Sequence, residues 1–161
     1  MSNDMSQSAR KVQEALRSHG LACEVVELAK TTRSAKDAAR AVGCQLGQIV
    51  KSLIFKGKKT NRPIFIAAGG ENRVNEKLIG SYVDEAVKMA DADFVRQKTG
   101  FAIGGVPPIG HREKLLTFID EDLFQYEEIW AAAGNPYAVF KLTPQELHQI
   151  TDGKIISVTQ K

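Results

Sequence analysis

Two stretches of this sequence place residue types where chemistry is possible. The first is Ile49-Val-Lys-Ser-Leu-Ile-Phe55, bounded by Gly47 before it and Lys56-Gly57 after it. It reads as a strand, in which alternate residues share a face. Lys51 therefore falls with Ile49, Leu53 and Phe55, and an unpaired ammonium on an apolar face is costly. Two readings are open. Lys51 is an edge lysine whose stem snorkels to water and discourages edge pairing, or it is a cation at the mouth of a pocket, set to meet an anionic or carbonyl oxygen. The second stretch, Thr99-Gly-Phe-Ala-Ile-Gly-Gly-Val-Pro-Pro-Ile-Gly110, holds four glycines and two prolines in twelve residues. Glycine opens backbone conformations closed to other residues and proline fixes φ, so this is a loop with a specified path. It is either a structural turn or a cradle, because Gly104-Gly105 has no side chains to keep a ligand from its N–H groups.

Other chemistry has weaker support. No serine lies in a Gly-x-Ser-x-Gly elbow. His19, His111 and His148 show no metal spacing. His19 suits a helix end and His148 an exposed helix face, whereas His111 directly follows the glycine-proline loop, within reach of anything bound there. The carboxylates Asp84-Glu85, Asp120-Glu-Asp122 and Glu127-Glu128 are adjacent in sequence, and adjacent side chains point apart. Asp120 stands out because it ends a strand-like run. Lys56, Lys58, Lys59 and Arg62 form a basic cluster, either a solvated turn or a place to steer phosphates.

These residues sit in a chain of 161, with 43% hydrophobic and 25% charged residues, which suits one soluble globular domain. A net charge of +3 permits contact with nucleic acid without arguing for it. No apolar run approaches a membrane span, and the polar start lacks the apolar core of a signal peptide. Cys23 and Cys44 are isolated, and two free thiols fit a reducing cytoplasm.

The elements that must position the chemistry follow from periodicity. A disordered tail is expected over 1–7, then one domain over 8–161. Helices are expected over 8–19, 34–43, 75–79, 82–89, 91–99 and from Thr143-Pro-Gln-Glu146, where a hydroxyl cap, a proline and a glutamate coincide. Strands are expected over 23–28, 49–55, 63–68, 115–119, 137–142 and 155–159. The strands at 49–55 and 63–68 form a hairpin with the basic cluster at its tip. Irregular interleaving of strands and helices predicts an α/β (α+β) fold with a mixed, largely antiparallel sheet and flanking helices.

Several segments, in order, resemble the YbaK/EbsC family, free-standing relatives of the editing domain inserted in bacterial prolyl-tRNA synthetases. They are Ser34-Ala-Lys-Asp-Ala-Ala39 with Gly43, Gln48–Phe55, Asn75-Glu-Lys-Leu78, Thr99–Gly110, Ile119-Asp120, Ala133-Gly134 and Leu142-Thr-Pro-Gln-Glu-Leu147. The resemblance spans roughly residues 10 to 160. It implies an editing-domain-like fold and a trans-editing deacylase that hydrolyses the ester of mischarged tRNA, tRNA(Pro) with a small wrong amino acid, without metal or cofactor. It places Lys51, Gly104 and Gly105 in catalysis. Ser52, Pro107, Pro108, His111, Gly134 and Asn135 are placed at the substrate. Aminoacyl-tRNA is the implied partner, with prolyl-tRNA synthetase a further one. Some relatives carry histidine or serine shortly after the glycine at 134. This chain has Asn135-Pro136-Tyr137, which leaves cysteine, alanine, serine, threonine and a small non-protein amino acid open as the amino acid removed. The alternative is a non-catalytic module of the same fold that docks a tRNA or a synthetase.

Overall fold

The computed structural model describes residues 5–29, 32 and 34–159. Helix α1 (Gln7–Ser18) buries Ala9, Val12 and Leu16 along one side, and Ser6 caps it. The expected tail therefore ends earlier than residue 7, since Ser6 and Gln7 belong to the helix start; residues 1–4 lie outside the described residues. Strand β1 (Val25–Glu27) follows. Ser34 accepts the Asp37 N–H to start α2 (Ala35–Val42), and Gly43, at φ 74°, ends it.

β2 (Val50–Gly57) and β3 (Pro63–Gly69) form the expected hairpin, with Lys51 opposite Ala68. After them come α3 (Glu76–Val83), β4 (Val87–Met89), α4 (Ala92–Thr99) and β5 (Leu116–Asp120). The chain closes with β6 (Ile129–Ala132), β7 (Ala138–Leu142), α5 (Pro144–Thr151) and β8 (Lys154–Ile156). The capping box expected at Thr143 and Glu146 is present.

The strands make a five-stranded sheet in the order β4-β2-β3-β5-β8 and a three-stranded sheet in the order β1-β7-β6. Four of the six strand pairings are antiparallel, as expected, and the β3-β5 and β5-β8 pairings are parallel. The larger core, which includes Val50, Ile54, Phe65, Phe140 and residues of α1 and α4, joins the two sheets. The other face of the large sheet packs a second cluster, including Phe55, Ile66 and Phe118, against Ile79 and Val83 of α3.

Two readings need correction. The stretch 82–89 is not a helix. Asp84 takes a left-handed conformation that stops α3, and Val87–Met89 then pairs with Phe55–Gly57. Local pattern favoured a helix, but the open edge of β2 supplied hydrogen bonds. Strand β6 was not foreseen, because Ile129-Trp-Ala-Ala132 lacks the alternation of a half-exposed strand; its partner β7 and the core beneath define it.

Candidate active site

β4 covers only Phe55–Gly57 on one edge of β2, and Ile54 accepts the Ala90 N–H just before it. Among the described residues no strand pairs with the Val50–Leu53 stretch of that edge. A cavity of about 280 Å³ lies along it, closed by α2, by β6 and by the 103–106 loop. Its walls are mainly apolar, with Ala38, Ile49, Val106, Trp130 and Ala132 among them, and Lys51, Ser52 and Gly104 contribute the polar groups that concern chemistry. An isolated bridge between Ile49 and Trp130 joins the start of β2 to β6 and fixes this end of the cavity.

Lys51 is half-buried on the same face as Leu53 and Phe55, and its Nζ donates to the main-chain carbonyl of Asn72. Burial lowers the amine below its usual pKa, while the Asp120 carboxylate pulls it back up. Lys51 makes no direct ion pair among the described residues, so its ammonium keeps capacity for a further acceptor. Asp120 is 1% exposed and hydrogen-bonds Gly69, Asn72 and Asp122. Ser52 Oγ is buried in the β2 wall and has no hydrogen-bond partner among the described residues.

In the loop, neighbouring glycines do different work. Gly104 has φ 94° and lines the cavity, and no acceptor among the described residues takes its N–H. Gly105 is buried, and its N–H is committed to the Ala102 carbonyl. A Cβ there would sit 2.5–2.9 Å from Asn135 backbone atoms, so Gly105 is glycine because another chain segment passes against it. Its carbonyl accepts the Gly134 N–H at 2.8 Å.

The remaining candidates from the sequence lie elsewhere. Asn135 does not reach the cavity: its Nδ2 donates to Ser6 and Ser8 hydroxyls at 2.9 and 3.2 Å and ties the 134–135 turn to α1. Gly134, at φ 103°, packs against the Ser8 backbone. His111 turns away too. Its Nε2 donates to the Pro107 carbonyl at 2.5 Å and its ring packs on Phe65, 5.2 Å between centroids. Burial lowers its pKa, the Pro107 bond opposing the effect. Pro107 and Pro108 are buried, and neither lines this cavity. His111, Pro107, Gly134 and Asn135 thus brace the loop from behind, because glycine and proline steer the backbone away from the path an unbroken strand would take. Sequence reading missed Asn72 and the β6 wall. Only the Gly69-Gly70 turn signal hinted at the first, and a run of small apolar residues at the second.

At the far end of β2 the basic cluster wraps around an acid. Glu85 accepts from Thr60 Oγ1 at 2.7 Å, from the Lys59 and Thr60 N–H groups and from Arg62 Nε at 3.0 Å. These bonds, Thr60's first, hold its carboxyl down at about 2. Arg62 is committed there, and Lys58 and Lys59 remain exposed.

Residues 29–150 match the aminoacyl-tRNA editing domain family. A solved structure provisionally described as a trans-editing enzyme for prolyl tRNA synthetase is 44% identical, covers 98% of this chain and 99% of its own, and superposes with a TM-score of 0.91. An Enterococcus faecalis protein, EbsC, provisionally named a Cys-tRNA(Pro)/Cys-tRNA(Cys) deacylase, is 28% identical over 80% of this chain and 78% of its own length. A proline--tRNA ligase of Limosilactobacillus fermentum is 30% identical over 54% of this chain and 16% of the ligase. The chain belongs to the aminoacyl-tRNA editing domain family, and its fold is that of the YbaK-like editing domains. Its activity is accordingly that of an aminoacyl-tRNA hydrolase. Among the described residues no helix is long and apolar enough to cross a membrane.

Proposed function

We propose that this chain, as one editing domain over 8–161, hydrolyses in trans the ester of mischarged tRNA(Pro) carrying a small wrong amino acid, in the cytoplasm. The observation that carries the reading is the meeting of Lys51 and the unoccupied Gly104 N–H on the walls of one small, largely apolar cavity in an editing-family fold. A cavity of about 280 Å³ suits an aminoacyl group. Size alone separates small side chains poorly, one methylene being worth about 1–3 kcal/mol, which is why a second, hydrolytic site is useful.

An aminoacyl ester is already activated, so positioning and charge stabilisation suffice. The ester carbonyl lies against the 103–106 loop, where the Gly104 N–H meets the oxygen as it gains negative charge. Lys51 binds the 3′ end, at a phosphate or at the ester, with its free N–H groups. The vicinal hydroxyl of the terminal ribose orients the attacking water, and the ribose oxygen leaves with a proton from solvent. Ser52, with its unsatisfied hydroxyl, shapes the amino-acid end. Gly105, Pro107, Pro108, His111, Gly134 and Asn135 act through the loop they brace. The exposed Lys58 and Lys59 steer the phosphates of the RNA body. Relatedness to part of proline--tRNA ligase makes prolyl-tRNA synthetase the partner to examine first.

The test is deacylation of tRNA(Pro) charged in turn with alanine, cysteine, serine, threonine and proline. Loss of one wrong amino acid with proline spared names the substrate. Binding without turnover of any of these, or of serine and threonine on their own tRNAs, replaces the enzyme with a docking module.

A further inference from the structure

A hydrogen-bonded cluster stands behind Lys51, and the roles above leave it unused. Asp120 ends β5 almost fully buried. Its Oδ2 accepts the Gly69 N–H at 2.9 Å and Asn72 Nδ2 at 2.7 Å, and its Oδ1 accepts the Asp122 N–H at 2.9 Å. Asn72 Nδ2 donates as well to Asp122 Oδ2 at 2.8 Å, and the Asn72 N–H donates to the Gly69 carbonyl at 2.9 Å. The amide of Asn72 is thus gripped by two carboxylates, and its backbone is closed into a turn. What that turn presents is the carbonyl that accepts Lys51 Nζ. A turn held only for shape does not require a buried acid, because burying a carboxylate is costly unless it is fully hydrogen-bonded.

We propose that Asn72 and Asp120 are positioning residues for Lys51: Asp120 holds the Asn72 amide, and the Asn72 carbonyl fixes the ammonium against the cavity. This rests on Lys51 being the working cation of the deacylase. Neither residue touches substrate. Asp120 is the charged side chain among the described residues whose field bears on Lys51, and it opposes the loss of charge that burial favours. Asp122 is linked to the lysine through Asn72, whose Nδ2 donates to its Oδ2. The turn cannot move independently, since a side chain at Gly69 would already meet Asp120 Oδ2 at 3.3 Å and one at Gly70 would meet the Leu46 carbonyl at 2.2 Å.

Two variants test this in the full chain. Asn72→Ala keeps the carbonyl but releases the grip, and Asp120→Asn removes the charge. Each is assayed for deacylation against pH, corrected for spontaneous ester hydrolysis, and for acetylation of Lys51 by acetic anhydride, read by mass spectrometry. Asn72→Ala is expected to lower kcat about 10- to 100-fold with KM near wild type and the melting temperature little changed. Asp120→Asn is expected to move the alkaline limb of the rate profile to lower pH, and to speed Lys51 acetylation at pH 8. Should Asp120→Asn not fold, Asn72→Ala carries the test, with faster Lys51 acetylation expected there too. Wild-type pH profiles and acetylation rates in folded variants overturn the proposal. If the wild type turns over no aminoacyl-tRNA, the deacylase reading fails on its own, and the acetylation rates still decide whether Asn72 and Asp120 hold Lys51.

Discussion

At the start of β2, Lys51 lies half-buried beside an open strand edge, with no direct ion pair among the described residues and a main-chain carbonyl as its partner. Roughly 17 Å further along the same strand, counting about five residues at about 3.3 Å each, the basic cluster begins. There Lys56 lies over the Phe94 ring at 4.9 Å, Arg62 is bonded to Glu85, and Lys58 and Lys59 stand in water. The same residue types do different work because their surroundings differ. A charge in water attracts phosphate at long range and is screened by salt. A charge at the wall of an apolar cavity acts on one atom at short range and resists screening. The comparison predicts a chemical end and a steering end on a single strand.

The strongest test of that division is Lys51→Ala. It is expected to cut kcat by about 10²–10³-fold, the scale of losing a donor to a developing oxyanion, with an unchanged melting temperature, because the side chain makes no ion pair among the described residues. Retained kcat in the folded variant ends the claim for a chemical end. The double change Lys58→Ala with Lys59→Ala is expected to raise KM while sparing kcat. It also lowers the slope of log affinity for tRNA against log salt by about 1–2, measured by filter binding at several ionic strengths. A fall in kcat instead would blur the two ends.

The ends also differ in how acid should attack them. Glu85 is held at about 2 in the folded chain and near 4.5 when free, so its contribution is full above the free value and disappears as pH falls from about 4.5 towards 2. Urea midpoints of wild type and Glu85→Gln should differ at pH 7 and converge near pH 2. His111, behind the 103–106 loop, has its pKa lowered from 6.5 by burial. Its neutral form is favoured by folding, so stability is lost as pH falls below 6.5, and His111→Asn should flatten that loss between pH 7 and 5. The smallest effect expected is that of Asn135→Ala. Losing its bonds to Ser6 and Ser8 should cost about 1 kcal/mol by denaturation, with kcat lowered far less than by Lys51→Ala. A collapse of kcat would return Asn135 to the substrate.

Much of the fold was legible because it rests on local physics. The caps at Ser34 and Thr143, the glycine stops at Gly43 and Gly100, and the alternation through β2 and β3 follow from backbone conformation and side-chain periodicity over a few residues. Strands β4 and β6 were not legible. A three-residue strand and an alanine-rich one take their identity from a partner distant in the chain. The site divides in the same way. Lys51 was visible as a cation on an apolar strand face, and Gly104 as a gap in side-chain cover. The choice between Gly104 and Gly105 was not, since what separates them is the Asn135 backbone packed against one and the cavity beside the other.

By itself, then, the sequence determined where α2 and α4 start and stop, where α5 starts, which strand holds the lysine and where the chain bends without side chains, because those depend on neighbours along the chain. Only the tertiary structure decided which of these features share a cavity, that His111 and Asn135 serve the loop's support, and that Asn72 and Asp120 stand behind Lys51, because contacts between residues tens of positions apart are set by how the two sheets pack on their common core.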